Sequence, residues 1–536
     1  MDGVNSTGSD SEQIAPVATP SALVDPVLRP AELVSLFAIV LLADLAIYRG
    51  EGYAGWAAVL GAAPVLLFFG AAHKRLCRSI FLLSAMLLVL AARLFWCGSV
   101  VEEAVGLALL PCFAISVAGY VPYVTDSLIF TLQIVHHGGR GLAAYGRGLL
   151  QFGRRFAPAT AIAIVLPLVI GAAFSLLFVL ANPDLVKSLS ESVSRALEEL
   201  RKWLIEFSLG ESAFVLGTAW ITIALLRARV GAEPGSRNII ETSVSRPAPL
   251  AEVAPRPLYL AWRNSLIVVS LIYAVYLVFE FRTVWFRQFP QGFYYSGYAH
   301  EGAAWLTIAL ALATSILSLI FRGRILEDPR VTGLQRLAWI WSAENLLLAA
   351  AVYNRLLIYV GFNGMTRMRI LGLYGVTAVV AGFLLVVVKI IRRRKFAWLA
   401  ERHLWTLGIA VYLYAITPLD YLAMRYNVSR ILGGDSAPAV QISEQPISTE
   451  GLLVLWPLLE CPDQYVRNGV AALLQEREDK IEARQAKTEH WTAYQIADEL
   501  FLQQIRDRST SMPRFADEHA RGEAWERFAA YAYQWY

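Results

Sequence analysis

Long apolar runs alternate with short charged stretches along almost the whole of this chain. A hydrocarbon core about 30 Å thick takes about 20 apolar residues in helical form, because lipid offers the backbone no hydrogen-bond partners. On that measure the runs predict eleven helical spans, near 31–48, 53–72, 79–97, 104–120, 159–181, 212–228, 262–280, 302–321, 337–360, 369–391 and 403–422. The runs AIAIVLPLVIGAAFSLLFVL and LGLYGVTAVVAGFLLVVV carry no charge and are the clearest. The run at 212–228 is short, and the first contains Asp44.

Basic residues check that count independently, since Lys and Arg concentrate in cytoplasmic loops. Alternate loops hold 23 of them, including Lys74, Arg75, Arg140, Arg147, Arg154, Arg155, Arg322, Arg324 and the cluster Arg392–Lys395. The intervening loops hold nine, including Arg49, Lys187, Arg282, Arg367 and Arg369. The alternation predicts a cytoplasmic N-terminus and, with eleven spans, an extracytoplasmic C-terminus in the cell membrane. Ten spans would place the C-terminus on the opposite side.

Between the spans several segments have their own character. Residues 1–30 are polar and lack the basic start of a cleaved signal, so they read as a disordered cytoplasmic leader. The first membrane half is expected over 31–229. Within it, 122–157 ends in the Gly/Arg-rich HHGGRGLAAYGRGLLQFGRR, an interfacial segment facing lipid phosphates. Residues 183–207 read as an external amphipathic helix, with Asn182 as cap, Pro183 at the first position and apolar residues from Leu185 to Phe207 on one face. Residues 230–256 form a Pro/Ser/Ala-rich cytoplasmic linker to a second membrane half over 257–424. Residues 425–536 hold 12 basic and 17 acidic residues and no run long enough to cross a membrane. Helical periodicity there predicts a small extracytoplasmic helical domain.

Composition agrees: 57% of residues are hydrophobic, 17% are charged and the mean hydropathy is +0.49. A net charge of +4 gives no reason to expect a nucleic-acid partner. The four cysteines are widely spaced, so neither a disulfide framework nor a zinc site is implied. No phosphate-binding loop, zincin motif, nucleophile elbow or dinucleotide fingerprint is present. The adjacent His136 and His137 point apart on a helix and make a poor metal pair. His300 and Glu301 read as a helix start at the interface. No catalytic residue, metal or cofactor is expected.

Polar groups inside spans are the usual pointers to function. Asp44 and Arg93 lie near span ends. Glu344, Asn345, Asn354 and Arg355 share one span, with Glu344 and Arg355 about 16 Å apart and so unable to pair directly. Each needs a partner on another helix or a water-filled crevice. An internal ion-pair network and a polar path both remain open.

The second half also carries YYSGYAHEGAAWL (294–306), YVGFNGMTRMRILGLYG from Tyr359, and TPLDYLAMRYNVSRILGGDSAPAV (417–440). On these stretches the chain resembles the DUF4153/DUF4173 family of bacterial integral membrane proteins of unknown function. The resemblance picks out Tyr298, Ala299, Gly302, Tyr359, Gly364, Thr366, Arg369, Asp420, Ala423 and Asn427. The chain departs from the family pattern with Gly-Met-Thr in the middle motif and Pro-Leu-Asp in the last. The resemblance implies the topology of the last spans and brings no activity. Arg369 and Asp420 are expected to meet across the last two helices, in a cluster on which the external domain rests.

The expectation is therefore an all-α polytopic membrane protein with a C-terminal extramembrane domain. Its partners are the bilayer and an unidentified envelope protein. A non-enzymatic scaffold or sensor fits the external elements. A transporter or channel would need a polar path lined by residues such as Glu344 and Arg355.

Overall fold

The computed structural model describes residues 28–155, 208–228, 256–285, 295–321, 330–392, 396–487, 490–508 and 512–535, with a few isolated positions between. The leader, the run at 159–181, nearly all of the amphipathic stretch 183–207 and the linker 230–255 lie outside them. So do the side chains of 291–301. Every regular element among the described residues is helical.

In the first half, α1 (Pro30–Ala43) opens with proline at its first position, where the missing N–H costs nothing, and runs on through a wider π-type turn at Asp44–Tyr48. The other long helices here are α2 (Tyr53–Gly70), α3 (Arg78–Cys97) and α4 (Val100–Val117). Ser99 caps α4 by accepting from the Val101 N–H at 3.3 Å, and Glu102 and Glu103 complement the positive end of its dipole. Two helices then meet at Gln133: α5 (Val124–Leu132) and α6 (Ile134–Arg155). They occupy the stretch expected to be interfacial. The glycines of α6 let it lie against α7 (Leu209–Leu226): Gly138 meets Trp220 and Gly141 meets Ile223. The Trp220 indole donates to the Val135 carbonyl at 3.0 Å. Leu60, Leu87, Leu94, Phe113 and Phe130 form the core of this half.

The second half comprises α8 (Arg256–Glu280), α9 (Tyr295–Ile320), α10 (Val331–Asn363), α11 (Arg367–Ile391) and α12 (Phe396–Ile416). Leu310, Leu317, Phe321, Trp341, Phe383 and Val386 fill its core. Large apolar side chains such as Phe37, Phe81, Leu216, Val275 and Trp305 point outward, as lipid-facing positions do.

Among the described residues nine helices are long and apolar enough to cross a membrane, the last being Arg367–Ile391. A tenth is added if α12 and α13 (Leu419–Leu432), bent by 63° at Thr417–Pro418, are one span. The chain is a multi-span membrane protein. The apolar run at 403–422 is divided by this bend, and Asp420 falls in the first turn of α13, just beyond it. Proline at 418 cannot continue the hydrogen-bond ladder of α12, and hydropathy alone ran across the break.

The remaining helices are α14 (Ala439–Glu444), α15 (Thr449–Leu452), α16 (Gln464–Lys487), α17 (Ile496–Asp507) and α18 (Glu518–Ala532). They share one core with α13, built on Leu452, Leu455, Leu458, Val470, Leu474, Phe501 and Phe528. Ile370 of α11 belongs to the same cluster, so this core grows directly out of the second half. These helices sit at the end of the membrane helices that carries residues 49–52, 97–99 and 364–367, here termed the capped end.

Candidate functional site

At the capped end the α10–α11 turn is a cradle. Gly364 ends α10 with φ +100°, a conformation that L side chains rarely adopt, and a Cβ there would also meet the Asn427 Oδ1 at 2.6 Å. Thr366 then caps α11, accepting from the Arg369 N–H at 3.2 Å. The backbone between them belongs to neither helix. Asn427 of α13 supplies the missing partner: it accepts from the Met365 N–H at 2.7 Å and donates to the Met365 carbonyl at 2.9 Å. Arg430 covers the last carbonyls of α10, donating to Val360 at 2.9 Å and Gly361 at 2.8 Å.

Arg369 and Asp420 do not meet. Arg369 folds back onto its own turn, donating to the Gly364 carbonyl and to Asn363 Oδ1, with its guanidinium 3.7 Å over the Tyr359 ring. Asp420 pairs instead with Arg367 and also accepts from the Ser448 N–H at 2.5 Å. Positions two apart on a helix point to nearly opposite faces, so only one of these arginines can look toward α13. Tyr359, Gly364, Thr366, Arg369, Asp420 and Asn427 thus converge on the junction between α10, α11 and α13. Tyr298 lies in α9, and its side chain is outside the described residues. Gly302 belongs elsewhere: a Cβ on it would meet the Arg355 Nη1 at 2.0 Å.

The same C-terminal helices reach the first half. Glu450 of α15 accepts from Arg93 at 2.7 and 3.2 Å and from the Trp96 indole at 3.2 Å. Gln495 accepts from the Gly98 N–H at 2.7 Å and donates to the Leu94 carbonyl at 3.0 Å. Thr492 accepts from the Glu51 N–H at 3.0 Å. Gly52 is needed for that approach, since a Cβ there would lie 2.7 Å from the Thr492 carbonyl oxygen. Neither Glu450 nor Gln495 stands out in the sequence, because nothing local marks a distant partner. Thr449 in turn donates to Asp498 at 2.6 Å, and Arg477 donates to the Ile447 carbonyl at 2.7 Å, which fixes the segment bearing Glu450.

Within the spans most ionic groups are paired. Arg355 forms a two-pronged pair with Glu280, and Tyr276 donates to the same carboxylate at 2.9 Å. Both Arg355 and Glu280 are buried, at 2% and 1% exposure, so the pair replaces the crevice that either alone would require. Glu280 escaped sequence reading because it ends an apolar run, where an interfacial glutamate is ordinary. Arg227 pairs with Glu32 at 2.5 Å, and Arg49 with Glu211 at 2.6 Å and Asp44 at 3.5 Å. Beside Arg227, burial and the Glu32 carboxylate push the Tyr145 phenol up, so it stays neutral. Asn354 is half-buried on α10. Asn345 donates to the Trp341 carbonyl one turn back at 2.7 Å. Glu344 makes no ion pair among the described residues.

No group of three or more His, Cys, Asp or Glu side chains that could hold a metal occurs among the described residues. His136 and His137 stand edge to face, ring centroids 6.0 Å apart.

The family model described as "Domain of unknown function (DUF4153)" matches residues 36–454. No curated protein and no solved structure matches the chain. The matched stretch takes in both membrane halves, the α10–α11 cradle, Asp420 and Glu450. The chain belongs to the DUF4153 family.

Proposed function

We propose that this protein is a non-enzymatic scaffold or sensor of the cell envelope, whose C-terminal helices form an extracytoplasmic domain seated across both membrane halves. One observation carries the reading. A single short stretch reaches both halves: Glu450 holds Arg93 of α3, while the Ser448 N–H donates to Asp420, the carboxylate that pairs with Arg367 of α11. The capped end is also the end whose loops are poor in Lys and Arg, which supports an extracytoplasmic position. The pairing of Arg355 with Glu280 favours helix packing over a conduit at that level.

The test is complementation of a deletion strain under envelope stress, alongside limited proteolysis of the C-terminal helices in membranes. Joint loss of Asp420 and Glu450 charge (Asp420→Asn with Glu450→Gln) is expected to expose the helices to protease and abolish complementation. Full complementation by a chain whose C-terminal helices are released would overturn the reading. A transporter is the second reading, because Glu344 is a half-buried acid in mid-span with no basic partner among the described residues.

A further inference from the structure

Glu344 differs from every acid just described. It lies near the middle of α10, about 20 Å or more from either end of that helix. Ser270 of α8 lies within hydrogen-bonding reach of its carboxylate, and Tyr273 of the same helix is close enough to feel its charge. Tyr273 is held in place: its ring stands edge-on to Trp341 at 5.9 Å and its hydroxyl donates to the Ala309 carbonyl of α9 at 3.2 Å. The group therefore lies where α8, α9 and α10 meet.

Its polar atoms lack a full set of partners. Asn345 Oδ1 is buried with no hydrogen-bond partner among the described residues, and Glu344 Oε2 and Ser270 Oγ, within reach of one another, have none besides each other. Asn345 is 0% exposed, so solvent does not serve it, and Glu344 is half-buried. No basic side chain among the described residues pairs with Glu344. Residues 264–279 of α8, 302–320 of α9 and 370–388 of α11 contain no charged side chain, and the apolar run 159–181 contains none either. Along α10 itself, Arg336 is exposed two turns away and Arg355 is taken by Glu280. A bare carboxylate at mid-membrane is strongly disfavoured, and buried polar atoms left unpaired point to something that occupies them.

We propose that Glu344, Ser270 and Asn345, with the Tyr273 hydroxyl beside them, form an intramembrane site for one small positive charge, an alkali cation or the proton that takes its place. The donors are all oxygens, which suits a hard cation, and a single carboxylate matches a single charge. The inference is independent of the scaffold reading, since it concerns the middle of the second half and not the capped end.

The test uses the full chain in lipid nanodiscs. Thermal unfolding is followed while NaCl or KCl replaces choline chloride at constant ionic strength, and separately while pH is lowered. An occupied site is expected to raise Tm by about 3 °C or more on adding one alkali ion, or on acidification, whichever ion the site takes. Glu344→Gln, which keeps the shape without the charge, should abolish that response. Ser270→Ala, a milder change, should weaken the apparent affinity about threefold while leaving the response in place. Infrared difference spectra on cation exchange or acidification should contain a carboxyl band that Glu344→Gln removes. A response only to acid assigns the proton, and one to Na+ or K+ assigns the alkali ion. Identical cation and pH responses in wild type and Glu344→Gln, with no carboxyl band lost, would overturn the proposal. Should Glu344→Gln fail to fold, an unchanged midpoint in Ser270→Ala together with no carboxyl band in wild type would do the same.

Discussion

The C-terminal helices meet the two membrane halves in different ways. Toward the second half the chain is continuous from α12 into α13. Ile370 shares the C-terminal core, and Asn427 completes the backbone of the α10–α11 turn with two hydrogen bonds. Toward the first half the union is made of side chains on loop edges: Arg93 with Glu450, Gln495 with Gly98, Thr492 with Glu51, and the Phe95 and Tyr494 rings at 5.5 Å. A hydrophobic core resists partial opening, because separating it exposes apolar area to water. A few polar contacts at an edge can be exchanged for water one at a time at modest cost. The C-terminal helices are thus built into the second half and latched onto the first, and any motion between them opens at Glu450.

That contrast can be broken by single substitutions. The largest effect is expected inside the second half itself. Arg355→Ala leaves Glu280 buried without its partner and should cost about 3–5 kcal/mol, seen as loss of folded protein in detergent. The double replacement Glu280→Gln with Arg355→Met removes both charges and should recover most of that stability. Next comes the rigid junction. Asn427→Ala strands the Met365 N–H and carbonyl and should cost about 2–3 kcal/mol. Protease should then cut between α10 and α11. Gly364→Ala, at a positive φ and against Asn427, should cost about 1–3 kcal/mol by the same assay. At the latch, Glu450→Gln should cost about 1–2 kcal/mol because a neutral amide keeps part of the hydrogen bonding. Its signature is local: spin labels on α3 and α17 should move apart while labels on α11 and α13 keep their distance. Arg367→Ala should matter least, about 1 kcal/mol, since its side chain is 45% exposed and the buried Asp420 keeps the Ser448 N–H as a donor. Equal loosening of both junctions by Glu450→Gln would erase the distinction.

Much of this architecture was legible in the runs of apolar residues, because a span is a local property of about 20 residues. The described spans fall where those runs lie, and helices α16 and α17 follow the periodicity around Val470 and Phe501. What was not legible is pairwise. Nothing near Arg367 or Arg369 says which one faces α13, and nothing near Glu450 says that its partner is Arg93, 357 positions earlier in the chain. Glu344 stood out as an acid within a span and Glu280, at the end of an apolar run, did not, yet among the described residues it is Glu280 that has an arginine. Of the residues the resemblance picked out, Tyr359, Gly364, Thr366, Arg369, Asp420 and Asn427 lie together at this junction, while Gly302 stands against Arg355. The pairings came only from their geometry, with Arg367 in the role expected of Arg369.

The central claim is that the C-terminal helices rest on the first half at the extracytoplasmic end. The Glu51 backbone touches Thr492, so a Glu51→Cys, Thr492→Cys pair in a background without the native cysteines tests it directly. In intact cells the pair should oxidise to a disulfide, and a membrane-impermeant thiol reagent should block its formation when added from outside. No cross-link in intact cells, with the thiols reacting only after the membrane is permeabilised, would contradict the account.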